Sequence, residues 1–253
     1  MRSFHPRGML TVIAIAAVPT GSAIANTTLD LYHLGEADLG ATIGATTNAV
    51  TIDSGPDGNN LLRQGPIVYS SNVAAPGSTI SMAFNDNSAV YSGNVLTTAI
   101  TNVGITAWVF PTVGNASVST GIAYNGNPGG SGYGLYQGGS DLGFTPPAGD
   151  ATIIAIVGGV DFESPTVPSV NVPIDIWSEV TQIIQNGENE LFLNGTLVAE
   201  HADTPNTPGT DFELGSGFVG NIDEVSVFTV PEPTSIGLLG LAGLGVLARR
   251  KRV

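Results

Sequence analysis

The chain has 253 residues with 34 glycines, 16 prolines and no cysteine, and a formal net charge of −14. Six of its seven basic residues sit at the two ends, so between Asn26 and Val230 Arg63 alone faces 20 acidic residues, a net charge of −19. That excludes nucleic-acid binding, which needs a basic footprint on the phosphates. The same interval lacks Lys and Cys, which excludes Schiff-base and thiol catalysis, disulfides and thiolate metal sites.

Met1 to Ala25 opens with Arg2 and Arg7, runs through apolar Met9 to Val18 and closes on Ala23-Ile24-Ala25, the small-residue pattern at which a signal peptidase cuts. A run of ten residues at about 1.5 Å each covers about half of a bilayer core of about 30 Å. The segment therefore reads as a removable secretory signal.

From Asn26 to Val230 short β-branched or aromatic runs alternate with Gly, Pro, Asn and Asp clusters. They predict strands over Leu29–Leu34, Ala49–Ile52, Ile67–Tyr69, Thr79–Phe84, Ile105–Phe110, Val118–Tyr124, Tyr133–Tyr136, Ala151–Val157, Trp177–Ile184, Glu190–Leu193, Leu197–Ala199, Asp211–Leu214 and Asn221–Phe228. Many short strands with no helical period between the ends argue one all-β sandwich or jelly roll of two antiparallel sheets. Ile105–Phe110 and Asn221–Phe228 read as central strands of the two facing sheets. Asn194-Gly195 predicts a type I′ hairpin. The Pro-containing stretches Glu163–Pro173 and Thr204–Gly209 read as exposed loops.

After Val230 come Pro231-Glu232-Pro233, an apolar Gly/Leu run over Ile236–Ala248, and Arg249-Arg250-Lys251-Arg252. The basic cluster would hold the end of a marginal spanning helix in the cytoplasm, as Arg2 and Arg7 do for the first segment, while the acidic middle is translocated. These three elements at the chain end resemble the PEP-CTERM sorting signal. The resemblance implies recognition by an exosortase, transient contact with the inner membrane through residues 236–248, and a place at the cell surface, outer envelope or extracellular matrix of a Gram-negative bacterium. A plain tail anchor is the alternative.

Trp177, Glu190-Leu-Phe-Leu-Asn-Gly195, Phe212-Glu-Leu-Gly215 and Phe218-Val-Gly-Asn-Ile-Asp-Glu-Val-Ser-Val-Phe228 resemble the closing half of a laminin-G-like, concanavalin A-like jelly roll. Tyr32 to Asp38, Ile105 to Val109 and Gly132 to Tyr136 are similar to its earlier strands. The resemblance implies one such domain over residues 26–230, between a short hydrophobic helix at each terminus.

Three kinds of site follow. Asp53-Ser-Gly-Pro-Asp57-Gly58-Asn59-Asn60 packs hard oxygen donors into a Gly turn, the ligand type calcium takes, although Gly55 and Gln64 break the EF-hand pattern. The laminin-G resemblance implies that Asp53, Asp57 and Asn59 meet Asp223 around a structural calcium ion. The competing expectation is a turn whose Asp and Asn cap their own backbone. Acids on alternate residues, Glu36/Asp38, Asp161/Glu163, Glu188/Glu190 and Asp211/Glu213, offer a carbohydrate-active enzyme its carboxylate pair, but no third acid completes the laminarinase-type Glu-x-Asp-x-x-Glu pattern. His33 and His201 belong to no Ser/His/Asp grouping, and no Gly-x-Ser-x-Gly elbow is present. Finally, Tyr91, Tyr124, Tyr133 and Tyr136, with Tyr69 in reserve, are candidates to stack on sugar rings, whereas Trp108 and Trp177 are expected in the core. The function these features support is a non-catalytic module for glycan or an envelope protein.

Overall fold

The computed structural model describes residues 26–74, 77–85, 90–95, 101–158 and 166–231. The two terminal segments, with Ala23, Ala25, Glu232, Pro233, Arg249, Arg250, Lys251 and Arg252, lie outside the described residues, as does the pair Asp161/Glu163. Among the described residues no helix is long and apolar enough to cross a membrane.

Among the described residues sixteen strands carry the fold: β1 (Thr27–Tyr32), β2 (Val50–Thr51), β3 (Leu61–Gln64), β4 (Ile67–Ser70), β5 (Ser81–Phe84), β6 (Val90–Gly93), β7 (Val103–Pro111), β8 (Thr120–Asn125), β9 (Tyr133–Gly138), β10 (Asp150–Val157), β11 (Ser169–Pro173), β12 (Ser178–Gln185), β13 (Glu188–Leu193), β14 (Thr196–Ala202), β15 (Phe212–Leu214) and β16 (Gly220–Thr229). They form two antiparallel sheets. Sheet A runs β14-β13-β12-β7-β16-β5-β4, with β1 also paired to β16, and sheet B runs β11-β10-β9-β8-β15-β6-β3-β2.

Each of the thirteen predicted strands is present; β3, β6 and β11 are additional. β11 lies inside the stretch expected to be a loop. It is an edge strand, and its terminal Pro173 is tolerated there because an edge position need not donate to a further neighbour. The pairing of β7 with β16 corrects a second expectation: the two are neighbours in one sheet, Ile222 opposite Val109 and Val227 opposite Ile105. Both had signalled centrality through apolar content, which marks a central strand without saying in which sheet. The hairpin reading holds, with Asn194 at φ 48° and Gly195 at φ 75°, the left-handed pair a type I′ turn requires.

The main core lies between the sheets. Ile105, Ala107 and Val109 of β7, Val180 and Ile184 of β12, and Ile222, Val225 and Val227 of β16 meet Leu135, Ile153, Ala155 and Leu214 of sheet B. Ile222 should point away from Val225 and Val227 if β16 were regular, since side chains alternate. A bulge between Asp223 and Ser226 resets the phase, and Glu224 takes φ 47° to make it. The same bulge marks a change of neighbour, because β5 pairs with Gly220–Ile222 and β1 with Val225–Thr229.

The outer faces differ. On sheet B, Tyr124, Tyr136, Ile154 and Ile156 form a second small core with Val167, against which Leu142 and Phe144 pack. On sheet A, Thr106, Trp108 and Phe110 of β7 and Glu179, Thr181 and Ile183 of β12 are only half-buried, and among the described residues this face is open.

Candidate functional site

The open face of sheet A holds two adjoining depressions that share Thr106, Glu179 and Ser226. The larger, about 560 Å³, is lined by Trp108 together with His33, Glu36, Ser78 and Glu224. The smaller, about 370 Å³, extends past Thr181 to Phe192 and Phe228. Regular alternation on β7 and β12 aims these side chains outward, and the neighbouring Phe110 and Trp177 rings pack with centroids 5.4 Å apart. Trp177 donates its indole N–H to Asn72 Oδ1 at 3.0 Å. The result is a trough with an aromatic floor and hydroxyl and carboxylate walls.

One wall is built at the fork where β16 passes from β5 to β1. Asp223, fully buried, accepts hydrogen bonds from Ser78 Oγ at 2.7 Å, the Ala74 amide at 3.1 Å and the Glu224 amide at 3.0 Å. Burial raises its carboxyl to about 6; the bonds from Ser78 and Ala74 oppose that, and the charges of Glu36 and Glu224 add to it. Glu36, exposed at the turn after β1, accepts from the amides of Thr79 at 2.6 Å and Ile80 at 3.0 Å, and lies 3.0 Å from Ser78 Oγ, whose single proton goes either to it or to Asp223. Burial works against its charge, but those donors outweigh it and hold the carboxyl below its ordinary range. Glu224 meets His33 Nδ1 at 2.8 Å. Ligand oxygens of Glu36, Asp223 and Glu224 all lie within 4.8 Å of one another, the one acid cluster of metal-binding dimensions among the described residues.

The Asp53 loop is elsewhere, against β1. Asp53 Oδ1 accepts from the amides of Leu31 and Gly55, each at 2.7 Å, and Oδ2 from the Asn59 amide at 2.8 Å. Asn59 donates its side-chain amide to Asp30 Oδ1 at 2.8 Å, and Asp30 Oδ2 is buried with no partner. Asp53 and Asn59 thus cap backbone and neighbouring groups, as the competing expectation had it, and Asp57 adds its charge near Asp30. Asp223 takes its partners from the β4–β5 loop instead, so the four expected ligands do not form one shell. Asp30 is the residue sequence reasoning missed: it lies on a strand, and no spacing rule links it to a loop 23 positions on.

The tyrosines are a correction. Tyr91, Tyr124, Tyr133 and Tyr136 are 0%, 1%, 1% and 7% exposed, so none is available to stack on a sugar at the surface. Tyr91 donates to Thr47 Oγ1 at 2.8 Å or Asn48 O at 2.7 Å, and Tyr124 donates to Ser131 O at 2.8 Å. Tyr124 and Tyr136 pack edge to face, 5.3 Å between centroids. Burial pushes the Tyr91 and Tyr133 hydroxyls up to about 12. Tyr69 is buried too, donating to Asp38 Oδ2 at 2.8 Å. Conversely Trp108 and Trp177, expected in the core, are only partly buried; on β7 the residues that alternate with Trp108 take the core face. Of the alternating acid pairs, Glu36 faces the trough while Asp38 is buried and bound to the Ile52 amide at 2.9 Å. Glu190 stands opposite Glu200 on the sheet edge. His201 pairs with Asp203 at 2.8 Å, away from His33.

The profile of the concanavalin A-like lectin/glucanases superfamily matches residues 83–231. The chain belongs to this superfamily. Residues 229–252 match the PEP-CTERM protein-sorting motif, which implies export, exosortase processing and sorting to the bacterial cell surface. No curated protein matches the chain significantly in sequence. Among solved structures it is similar to domain 4 of AbnA, an extracellular arabinanase from Geobacillus stearothermophilus, at 15% identity and a TM-score of 0.54, over 83% of this chain and 96% of that one. It is also similar to a mutant of HCR/D, at 12% identity and a TM-score of 0.53, over 84% of this chain and half of that one. At such identities the likeness establishes a shared fold, a sandwich of the concanavalin A-like type.

Proposed function

We propose that the exported domain is a non-catalytic glycan-binding module, sorted to the cell surface or matrix of a Gram-negative bacterium, and that it holds its ligand in the trough on sheet A. The observation that carries this reading is Trp108, partly exposed among Thr106, Ser226, Ser78, Glu36, Glu179 and Glu224. An indole offers the apolar faces of a sugar ring a stacking surface, and the hydroxyls and carboxylates take its hydroxyl groups. The similar AbnA domain was solved with arabinotriose, which supports the reading. Against a catalytic role stands Asp223, whose oxygens are occupied by three donors from the protein itself.

On a glycan array the protein is expected to retain a defined set of oligosaccharides, and Trp108→Ala to weaken that retention about tenfold or more, the loss of one stacking surface. Unchanged retention, or release of degradation products without retention, would overturn the reading. The mass of the recovered protein checks the processing: removal of residues 1–25 and a cut near Pro231 are expected.

A structural calcium ion is a further part of the proposal, now placed against Asp30. The unpartnered Asp30 Oδ2, with the Asp53 and Asp57 charges beside it, is the hard-oxygen environment calcium favours, and the ion would relieve an unpaired buried oxygen. Calcium at about 100 times its dissociation constant should then add about 2.7 kcal/mol of stability, read as a melting temperature several degrees above that in chelator. Identical melts would count against the ion.

A further inference from the structure

Resting on the glycan reading, we propose that the trough selects amino sugars whose nitrogen is free and charged, such as glucosamine units of a deacetylated polysaccharide. The argument is charge complementarity around an aromatic floor. Three carboxylates, Glu36, Glu179 and Glu224, line the space over Trp108. Among the described residues the sole ion pairs are those of His33 with Glu224 and His201 with Asp203. Arg63, the one Lys or Arg of the domain, donates instead to the carbonyls of Asn48 and Gly65. Among the described residues the trough therefore holds negative charge with no Lys or Arg to balance it.

Anionic polysaccharides meet repulsion from the carboxylates and from a domain with a net charge of −19. A neutral sugar gains the stack and the hydroxyl contacts but brings no charge to Glu179, the carboxylate of the three that neither backbone amides, as at Glu36, nor His33, as at Glu224, engage. A sugar ammonium adds three donors, which carboxylates accept strongly, and a cation held near an indole face is attracted to it as well. The Ser226 hydroxyl argues for a sugar over a simple polycation, since it answers hydroxyl groups that a polyamine or lysine peptide lacks, whereas Thr106 is bonded to Thr181 at 2.8 Å and Ser78 to Asp223 at 2.7 Å. Among the described residues no group donates a hydrogen bond to the Glu179 carboxylate, and Glu179 lines both depressions, so it can take the ligand.

The test uses the full chain at about pH 6, where an amine of the α-amino type is protonated, and titrates it with a glucosamine tetramer, its fully N-acetylated counterpart and tetralysine, in chelator and again in calcium. The glucosamine tetramer is expected to bind about tenfold or more tighter than the acetylated one. Its advantage should shrink as salt rises, and Glu179→Gln should cost it about threefold to fivefold more than it costs the acetylated tetramer. Trp108→Phe, which keeps a ring, should preserve the preference, and unchanged melting temperatures confirm both variants as folded. Equal affinity for the two tetramers would overturn the charge proposal and leave the glycan reading intact. Tetralysine binding as tightly as glucosamine would overturn it as plain electrostatics. Abolition by calcium would show that Glu36, Asp223 and Glu224 serve a metal ion instead. Binding to no glycan at all would overturn the glycan reading with it.

Discussion

Asp53→Ala should lower the stability of the domain by about 3–5 kcal/mol, the loss expected when several part-buried donors lose one charged acceptor. The carboxylate serves the amides of Leu31, Gly55 and Asn59 at 2.7–2.8 Å, so it ties β1 to a loop that makes no ladder of its own. Asp53→Asn, which keeps one acceptor oxygen, should lose about half as much. Denaturant midpoints at constant slope separate the cases. Equal midpoints for wild type and Asp53→Ala would mean that β1 is held by its pairing with β16 alone, and the capping account would be wrong.

Asp30 should make stability fall as pH rises from about 4 to about 7. Burial, with the like charges of Asp53 and Asp57 adding to it against the Asn59 amide, raises its carboxyl to about 7 from an ordinary 3.8. Across that window the folded state holds a proton that the unfolded chain has released, so ν of the unfolded state is the smaller and the slope is negative. The stabilisation is fully present below the unfolded value and is lost as pH passes through about 7. A drop of about 2–4 kcal/mol is expected. Asp30→Asn, neutral at every pH, should remove that part of the slope and raise the melting temperature above wild type at about pH 8. Saturating calcium should flatten the wild-type slope and have no effect on the variant. A wild-type profile that climbs steadily to neutrality, matched by Asp30→Asn, would show that Asp30 holds no buried proton.

The strands were legible because their information is local: β-branched pairs bounded by Gly, Pro and Asn, and an Asn-Gly whose turn type follows from left-handed φ at two positions. The two sheets were not equally legible. β7 and β16 advertise burial, yet whether two buried strands pair or face each other depends on register across more than a hundred residues, here Ile222 against Val109. The bulge at Asp223 to Val225 explains the imperfect alternation of β16, but alternation alone does not reveal which face it restores. The aromatic assignment inverted for a related reason. Tyr133 and Tyr136, three apart, point to opposite faces of β9, Tyr133 into the main core and Tyr136 outward, where sheet B covers Tyr124 and Tyr136 with Leu142, Phe144 and Val167. Trp108 reads as core because it sits inside a strand pattern, while the small and aliphatic Ile105, Ala107 and Val109 fill the interior. Of the acids, Glu36 and Asp223 were each visible, but only the fork of β1 and β5 around β16 brings them together.

Amide chemical-shift mapping of the exported protein with a retained oligosaccharide tests the central claim most directly. Shifts concentrated on Thr106, Trp108, Glu179, Glu224 and Ser226, with the Trp108 indole signal among the largest, are the predicted result. Shifts gathered instead at the opening lined by Ser117, Thr120 and Ser216, with the Trp108 indole unmoved, would contradict it.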